Sequence, residues 1–141
     1  MITIAKSFTF DAAHRLERLP ETHKCHRMHG HTYTVELQLS GEPNSNGFVV
    51  DYADMAEAWQ PIHDLVDHRV LNEVRGLEIP STEVIVEWIF HKLVDHPVIG
   101  PLLAAVVVKE SSTTWAKITD RQQARKVRHQ TTSIRTLQEP A

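Results

Sequence analysis

The stretch KCHRMHGHTYTVELQL, residues 24–39, decides how this chain folds. From residue 29 onward, His29, His31, Tyr33, Val35, Leu37 and Leu39 share one parity, while Thr32, Thr34, Glu36 and Gln38 share the other. Period two with one apolar face predicts a strand half-buried in a sheet. The two histidines continue the apolar face. Upstream, ITIAKSFTFDAAH, residues 2–14, repeats the pattern, with Ile2, Ile4, Phe8, Phe10, Ala12 and His14 on one side. His14 ends that face as His29 begins the other.

Further along, the turn GEPNSNG, residues 41–47, separates the second strand from DMAEAWQPIHDLVDH. There Met55, Ala58, Trp59, Ile62, Leu65 and Val66 fall at helical spacing, and Asp54 with Glu57 suggests a capping box. This predicts a helix from about Asp54 to Asp67, kinked or broken by Pro61. A second helix follows IPSTEV, capped by Ser81 or Thr82, with Glu83 on the favourable end of the dipole and Ile85, Trp88, Ile89 and Leu93 as its stripe. It stops before HPVIGP. The run LLAAVVVKE, residues 102–110, reads as a β-branched core strand, and TTWAKI as its hairpin partner. The order β-β-α-α-β-β predicts an α+β fold: a four-stranded antiparallel sheet with two helices on one face.

At 141 residues and 41% hydrophobic composition, the chain has the size of one domain that buries its core without staples. One cysteine forms no internal disulfide, and MITIAKSFTF lacks the h-region and cleavage site of a secretory signal, so a cytoplasmic location is expected. The longest apolar run, residues 98–108, is interrupted by Pro101 and falls short of the roughly 20 residues that span a membrane. Net charge is −3 overall, but residues 1–118 carry −6 and residues 119–141 carry +3. The expected organisation is one domain over 1–118 and a basic tail over 119–141. A basic tail without a basic face on the folded body argues against nucleic acid as the main partner.

Five of the ten histidines lie between residues 14 and 31. Residues i and i+2 of a strand project to the same side, so His29 and His31 converge, and Gly30 between them permits close backbone approach. With His14 from the neighbouring strand they make a three-nitrogen site of the kind that leaves a zinc position open for chemistry. Cys25 is either a fourth ligand, closing the site, or a reactive thiol in the cationic setting of His23, Lys24, His26 and Arg27. A domain of this length has little need of a metal staple, which favours the thiol. Asp67 and His68 pair a carboxylate with an imidazole, the usual partner of a working thiol. Glu110, ending a core strand, could satisfy two parallel N–H donors on a heterocycle.

The set AAHRL, CHRMHGH, VDH followed by LN, PSTE and VKE resembles the 6-pyruvoyltetrahydropterin synthase family, and most closely its bacterial 6-carboxytetrahydropterin synthase branch. The match runs in order from about Phe8 to Glu110. The resemblance implies the tunnelling fold, in which three sheets join into a barrel and two such trimers stack, so a homo-oligomer is expected. It implies Zn2+ held by His14, His29 and His31; proton handling by Cys25, Asp67 and His68, with the last two serving a cysteine of another subunit; and a pterin ring anchored by Glu110. Ser81 and Thr82 of PSTE join Glu110 as substrate-binding residues, and Lys24, Arg27 and Arg15 are placed to attract a triphosphate. The implied reaction converts 7,8-dihydroneopterin triphosphate to 6-carboxy-5,6,7,8-tetrahydropterin, releasing acetaldehyde and triphosphate, an early step toward queuosine and other 7-deazaguanines.

Two alternatives stand beside this. One is the 6-pyruvoyltetrahydropterin synthase activity on the same substrate. The other, of a different class, is a zinc-binding assembly module without catalysis. A zinc hydrolase fits less well, since no H-E-x-x-H accompanies the histidines.

Overall fold

A computed structural model describes residues 1–119 of the chain. The proposed tail from residue 120 onward lies outside the described residues. Strands β1 (Ile2–His14) and β2 (His29–Gly41) pair antiparallel over their whole length, from Ile2 opposite Gly41 to His14 opposite His29. The chain then forms helix α1 (Tyr52–Val66), the two-residue strand β3 (Arg69–Val70), helix α2 (Thr82–Leu93), and strands β4 (Leu103–Lys109) and β5 (Trp115–Ile118). The sheet order is β3-β1-β2-β4-β5. The four strands expected from the sequence make its contiguous antiparallel part, and β3 adds to the β1 edge in parallel, which makes the whole sheet mixed.

Strand parity governs burial. Phe10, Ala12 and His14 of β1, with Tyr33, Val35, Leu37 and Leu39 of β2, are buried, whereas Thr9 and Asp11 face outward. Each large apolar side chain withdrawn in this way contributes roughly 1.5–3 kcal/mol. The same core takes Met55, Trp59 and Ile62 from α1, and Ile85, Ile89 and Phe90 from α2. Phe10 stacks on Tyr33 with centroids 4.8 Å apart, and Phe8 on Trp59 at 5.3 Å.

Helix α1 starts earlier than its apolar spacing suggests. Asp51, rather than Asp54, is the N-cap, its side chain accepting from Ala53 N–H at 2.8 Å, and Asp54 sits in the first turn. Pro61 lies inside the helix, yet the element is continuous to Val66. The expected break is absent because Trp59, Ile62 and Val66 on either side of the proline are all buried in the core. At α2, Ser81 is the N-cap, accepting from Val84 N–H, which leaves the Thr82 hydroxyl free for another partner. No helix among the described residues is long and apolar enough to cross a membrane.

Candidate active site

The ends of β1 and β2 bring His14, His29 and His31 together: one ring nitrogen from each lies within 4.8 Å of the others. Gly30 between two of them eases the close packing of the strands, since a Cβ there would sit 3.3 Å from the Ala12 carbonyl oxygen across the strand pair. His14 is buried; the other two rings are partly covered.

Two hydrogen bonds fix how the rings present themselves. His14 Nδ1 lies 2.8 Å from the Pro80 carbonyl oxygen, and His29 Nδ1 lies 2.7 Å from that of Arg27. A carbonyl only accepts, so each Nδ1 carries the proton, and in the neutral ring each Nε2 is a bare lone pair. Those two lone pairs face each other at 3.0 Å. Such an approach is repulsive unless a cation lies between them. A shared proton would charge one ring, and burial holds the pKa of His14 below the ordinary histidine value, with His29 and His31 adding to the depression against the Pro80 contact. Two nitrogens bound tetrahedrally at about 2.05 Å from one ion stand roughly 3.3 Å apart. The observed spacing is close to that.

The third ring gives an independent sign. His31 Nε2 is buried and has no hydrogen-bond partner among the described residues. Glu110 Oε1 is 3.2 Å away but off the line a hydrogen bond requires. Burial lowers the His31 pKa more than Glu110 raises it, so the ring favours its neutral, ligating form. The three-histidine donor set therefore fits a metal ion. Beneath it, the Tyr33 hydroxyl lies 3.3 Å from His14 Nδ1, and burial followed by the Glu110 charge pushes its pKa upward.

A cleft of about 480 Å³ opens beside these rings, lined by Lys24, Cys25, Arg27, His29, His31 and Glu110 among others. Cys25 sits in a short 3-10 turn, Lys24–His26, held by its own N–H on His23 Nδ1 and by its carbonyl accepting from Leu16 N–H at 2.9 Å. Its thiol is free and partly exposed, and it is not among the residues grouped around the candidate metal position. Glu110 Oε2 accepts from the Thr82 hydroxyl at 2.6 Å, which ties the end of β4 to the start of α2. Arg15 instead pairs with Glu17.

Asp67 and His68 lie elsewhere on the chain. They form the connection from α1 to β3, and His68 lines a separate groove of about 530 Å³ with Asp11, Thr32, Arg69 and His31. Asp67 Oδ2 accepts from His68 Nδ1 at 2.8 Å. The Asp11 N–H bond and then the His68 bond lower the Asp67 pKa, and the Asp67 bond and charge raise that of His68. Cys25 does not line this groove. Sequence reasoning missed the Pro80 and Arg27 carbonyls and Asp11. Parity could have exposed Asp11 as an outward acid on a core strand, but the two carbonyls left no mark in residue type.

The family model described as 6-pyruvoyl tetrahydropterin synthase matches residues 3–121. The 6-carboxy-5,6,7,8-tetrahydropterin synthase of Synechocystis sp. is 36% identical over 123 residues, covering 83% of this chain and 92% of that one. That of Bacillus subtilis is 29% identical over 120 residues, covering 78% and 80%. Among solved structures, the 6-pyruvoyl tetrahydropterin synthase of Caenorhabditis elegans superposes with a TM-score of 0.77 at 27% identity, covering 84% of this chain and 95% of that chain. With the fold, the histidine cluster and these matches in agreement, the chain belongs to the 6-pyruvoyl tetrahydropterin synthase family.

Proposed function

We propose that this protein is a zinc-dependent lyase that converts 7,8-dihydroneopterin triphosphate and one water to 6-carboxy-5,6,7,8-tetrahydropterin, acetaldehyde and triphosphate, in the cytoplasmic route to queuosine and other 7-deazaguanines. The observation that carries the reading is one cleft lined by His29, His31, Cys25 and Glu110, with His14 completing the imidazole cluster. The names of the Synechocystis and Bacillus relatives favour the carboxy product over the pyruvoyl one.

His14, His29 and His31 would hold the ion, which when bound supplies Lewis-acid polarisation of side-chain oxygens on the substrate. The chain's residues do the rest. Glu110, oriented by Thr82, accepts two parallel N–H donors of the pterin ring and sets the side chain toward Cys25. Cys25 takes the proton from the substrate carbon. Lys24 and Arg27 at the cleft's rim draw in the triphosphate. Asp67 holds His68 in one tautomer as the relay that receives or returns the proton.

Within one chain His68 and Cys25 line different grooves. If the two act together, the protein is a homo-oligomer, a trimer or a dimer of trimers, in which His68 of one subunit meets Cys25 of the next. Among the described residues β3 and β5 are the outer strands of the sheet, and their edges are the natural seams for sheet-to-sheet joining. Residues 1–118 form the catalytic domain in this reading, and the rest of the chain is an appended basic tail.

The test is to incubate zinc-loaded protein with 7,8-dihydroneopterin triphosphate and assay for acetaldehyde and a 6-carboxypterin. Both products, lost in Cys25→Ala, support the proposal. A pyruvoyl pterin without acetaldehyde overturns the product assignment, and no conversion by metal-loaded protein overturns the enzyme assignment.

A further inference from the structure

The link from α1 to β3 is two residues long, and it turns through a conformation that L-residues seldom adopt. His68 has φ +55, the left-handed region where a helix usually ends on glycine. A residue other than glycine kept at such a point suggests that tertiary contacts hold the backbone there. The restraint is visible on β1. Asp11 C=O accepts from His68 N–H at 2.6 Å, and Asp11 N–H donates to Asp67 Oδ1 at 3.0 Å. One residue of β1 thus grips both members of the Asp67–His68 pair through its main chain.

Its side chain belongs to the same arrangement. Asp11 stands opposite Thr32 in the β1–β2 register, and both of its main-chain groups point toward the connector, so the two side chains meet as a close cross-strand pair. The Thr32 hydroxyl donates to Asp11 Oδ1 at 2.5 Å, fixing the carboxylate in the groove that His68 lines.

We propose that Asp11 is a positioning residue for the Asp67–His68 pair, its main chain setting the turn and its carboxylate, anchored by Thr32, standing in the groove that the His68 ring lines. This inference rests on the proton-relay role given to His68 above. Asp67 on the connector bonds that ring; the groove it lines also takes in Asp11 of β1, Arg69 of β3 and part of His31 of β2, and His63 of α1 reaches Asp67 Oδ2 at 3.8 Å. Asp67 is the larger influence raising the His68 pKa, and the Asp11 charge acts in the same direction.

The test uses the full-length protein loaded with zinc, with Asp11→Asn and Thr32→Val as variants. His68 is titrated by NMR of its ring carbons, assigned by comparison with His68→Gln. In Asp11→Asn the His68 titration should move to lower pH while zinc content is unchanged, and kcat should fall about tenfold with little change in KM. The limb of the pH–rate profile set by His68 should move with the titration. Thr32→Val keeps the charge but frees it, so kcat should fall while the His68 titration stays near that of the unmodified chain. An unchanged His68 titration in a folded Asp11→Asn protein would overturn the proposal, whatever its kcat. If the unmodified protein does not turn over the pterin triphosphate, the functional reading fails, and the NMR titration by itself decides whether Asp11 acts on the pair.

Discussion

The Thr82 hydroxyl donates to Glu110 Oε2 at 2.6 Å, so the first residue of α2 orients a carboxylate at the end of β4. A carboxylate with one oxygen held presents a fixed face to a heterocycle; a free one must lose rotamer entropy on binding. Thr82→Val should raise KM several-fold with kcat nearly unchanged. Glu110→Ala, which removes the acceptor, should raise KM at least tenfold, about 1.4 kcal/mol. Steady-state kinetics of both variants check the order.

Metal binding should depend on the imidazoles and not on the thiol. Zinc at a hundred times its Kd adds about 2.7 kcal/mol to stability by linkage, so removing it with a chelator should lower Tm measurably. His29→Ala should lose stoichiometric zinc and that shift in Tm, whereas Cys25→Ala should keep both. Loss of zinc in Cys25→Ala would restore the four-ligand reading.

The Asp67–His68 pair predicts a band of pH in which its stabilising effect is greatest. The Asp67 pKa is lowered from 3.8, so its contribution is full above that value and is lost as pH falls through the lower folded pKa. The His68 pKa is raised from 6.5, so its contribution is full below that value and is lost as pH rises through the higher folded pKa. The Tm difference between the unmodified chain and His68→Gln should therefore be widest between about pH 4 and 6.5 and shrink on both sides. A difference that does not vary with pH would show that the pair is not charged in the folded protein.

Gly76 closes the turn ahead of α2 at φ +92, and a Cβ there would lie 2.8 Å from two atoms of the Trp88 ring. The ring has little room to withdraw, because Trp88 Nε1–H donates to the Arg75 carbonyl at 3.1 Å. Gly76→Ala should cost about 1–3 kcal/mol in urea denaturation, through both the left-handed backbone and the displaced indole.

What was legible in the sequence follows from periodicity. Alternation in residues 2–14 and 29–39 placed both long strands, their buried faces and the imidazoles that continue them. The helices were legible as stripes, but the start of α1 was not: Asp51 and Asp54 are both capping types, and only the chain's path out of the preceding turn selects Asp51. Two-residue β3 carries too few positions to show a period, so the mixed edge of the sheet could not be read. The candidate site divides along the same line. Candidate residues singled out by side-chain chemistry, such as His14, His29, His31, Cys25 and Glu110, show in the sequence, whereas the alignment of His68 with Asp11 arises from pairing between segments far apart in sequence.

The carbonyls of Pro80 and Arg27 that hold His14 and His29 have a consequence for anyone who would alter this protein. A hold exerted by a side chain can be cut by one codon change; a hold exerted by the main chain survives every substitution that leaves the chain's course intact. The orientation of these rings is thus a property of two loops, and it would tolerate wide drift in loop composition but not the insertion or loss of a residue. Transplanting the three histidines onto another sheet would reproduce the ligands without their tautomers, and grafting the loops with them would be needed to carry the site across.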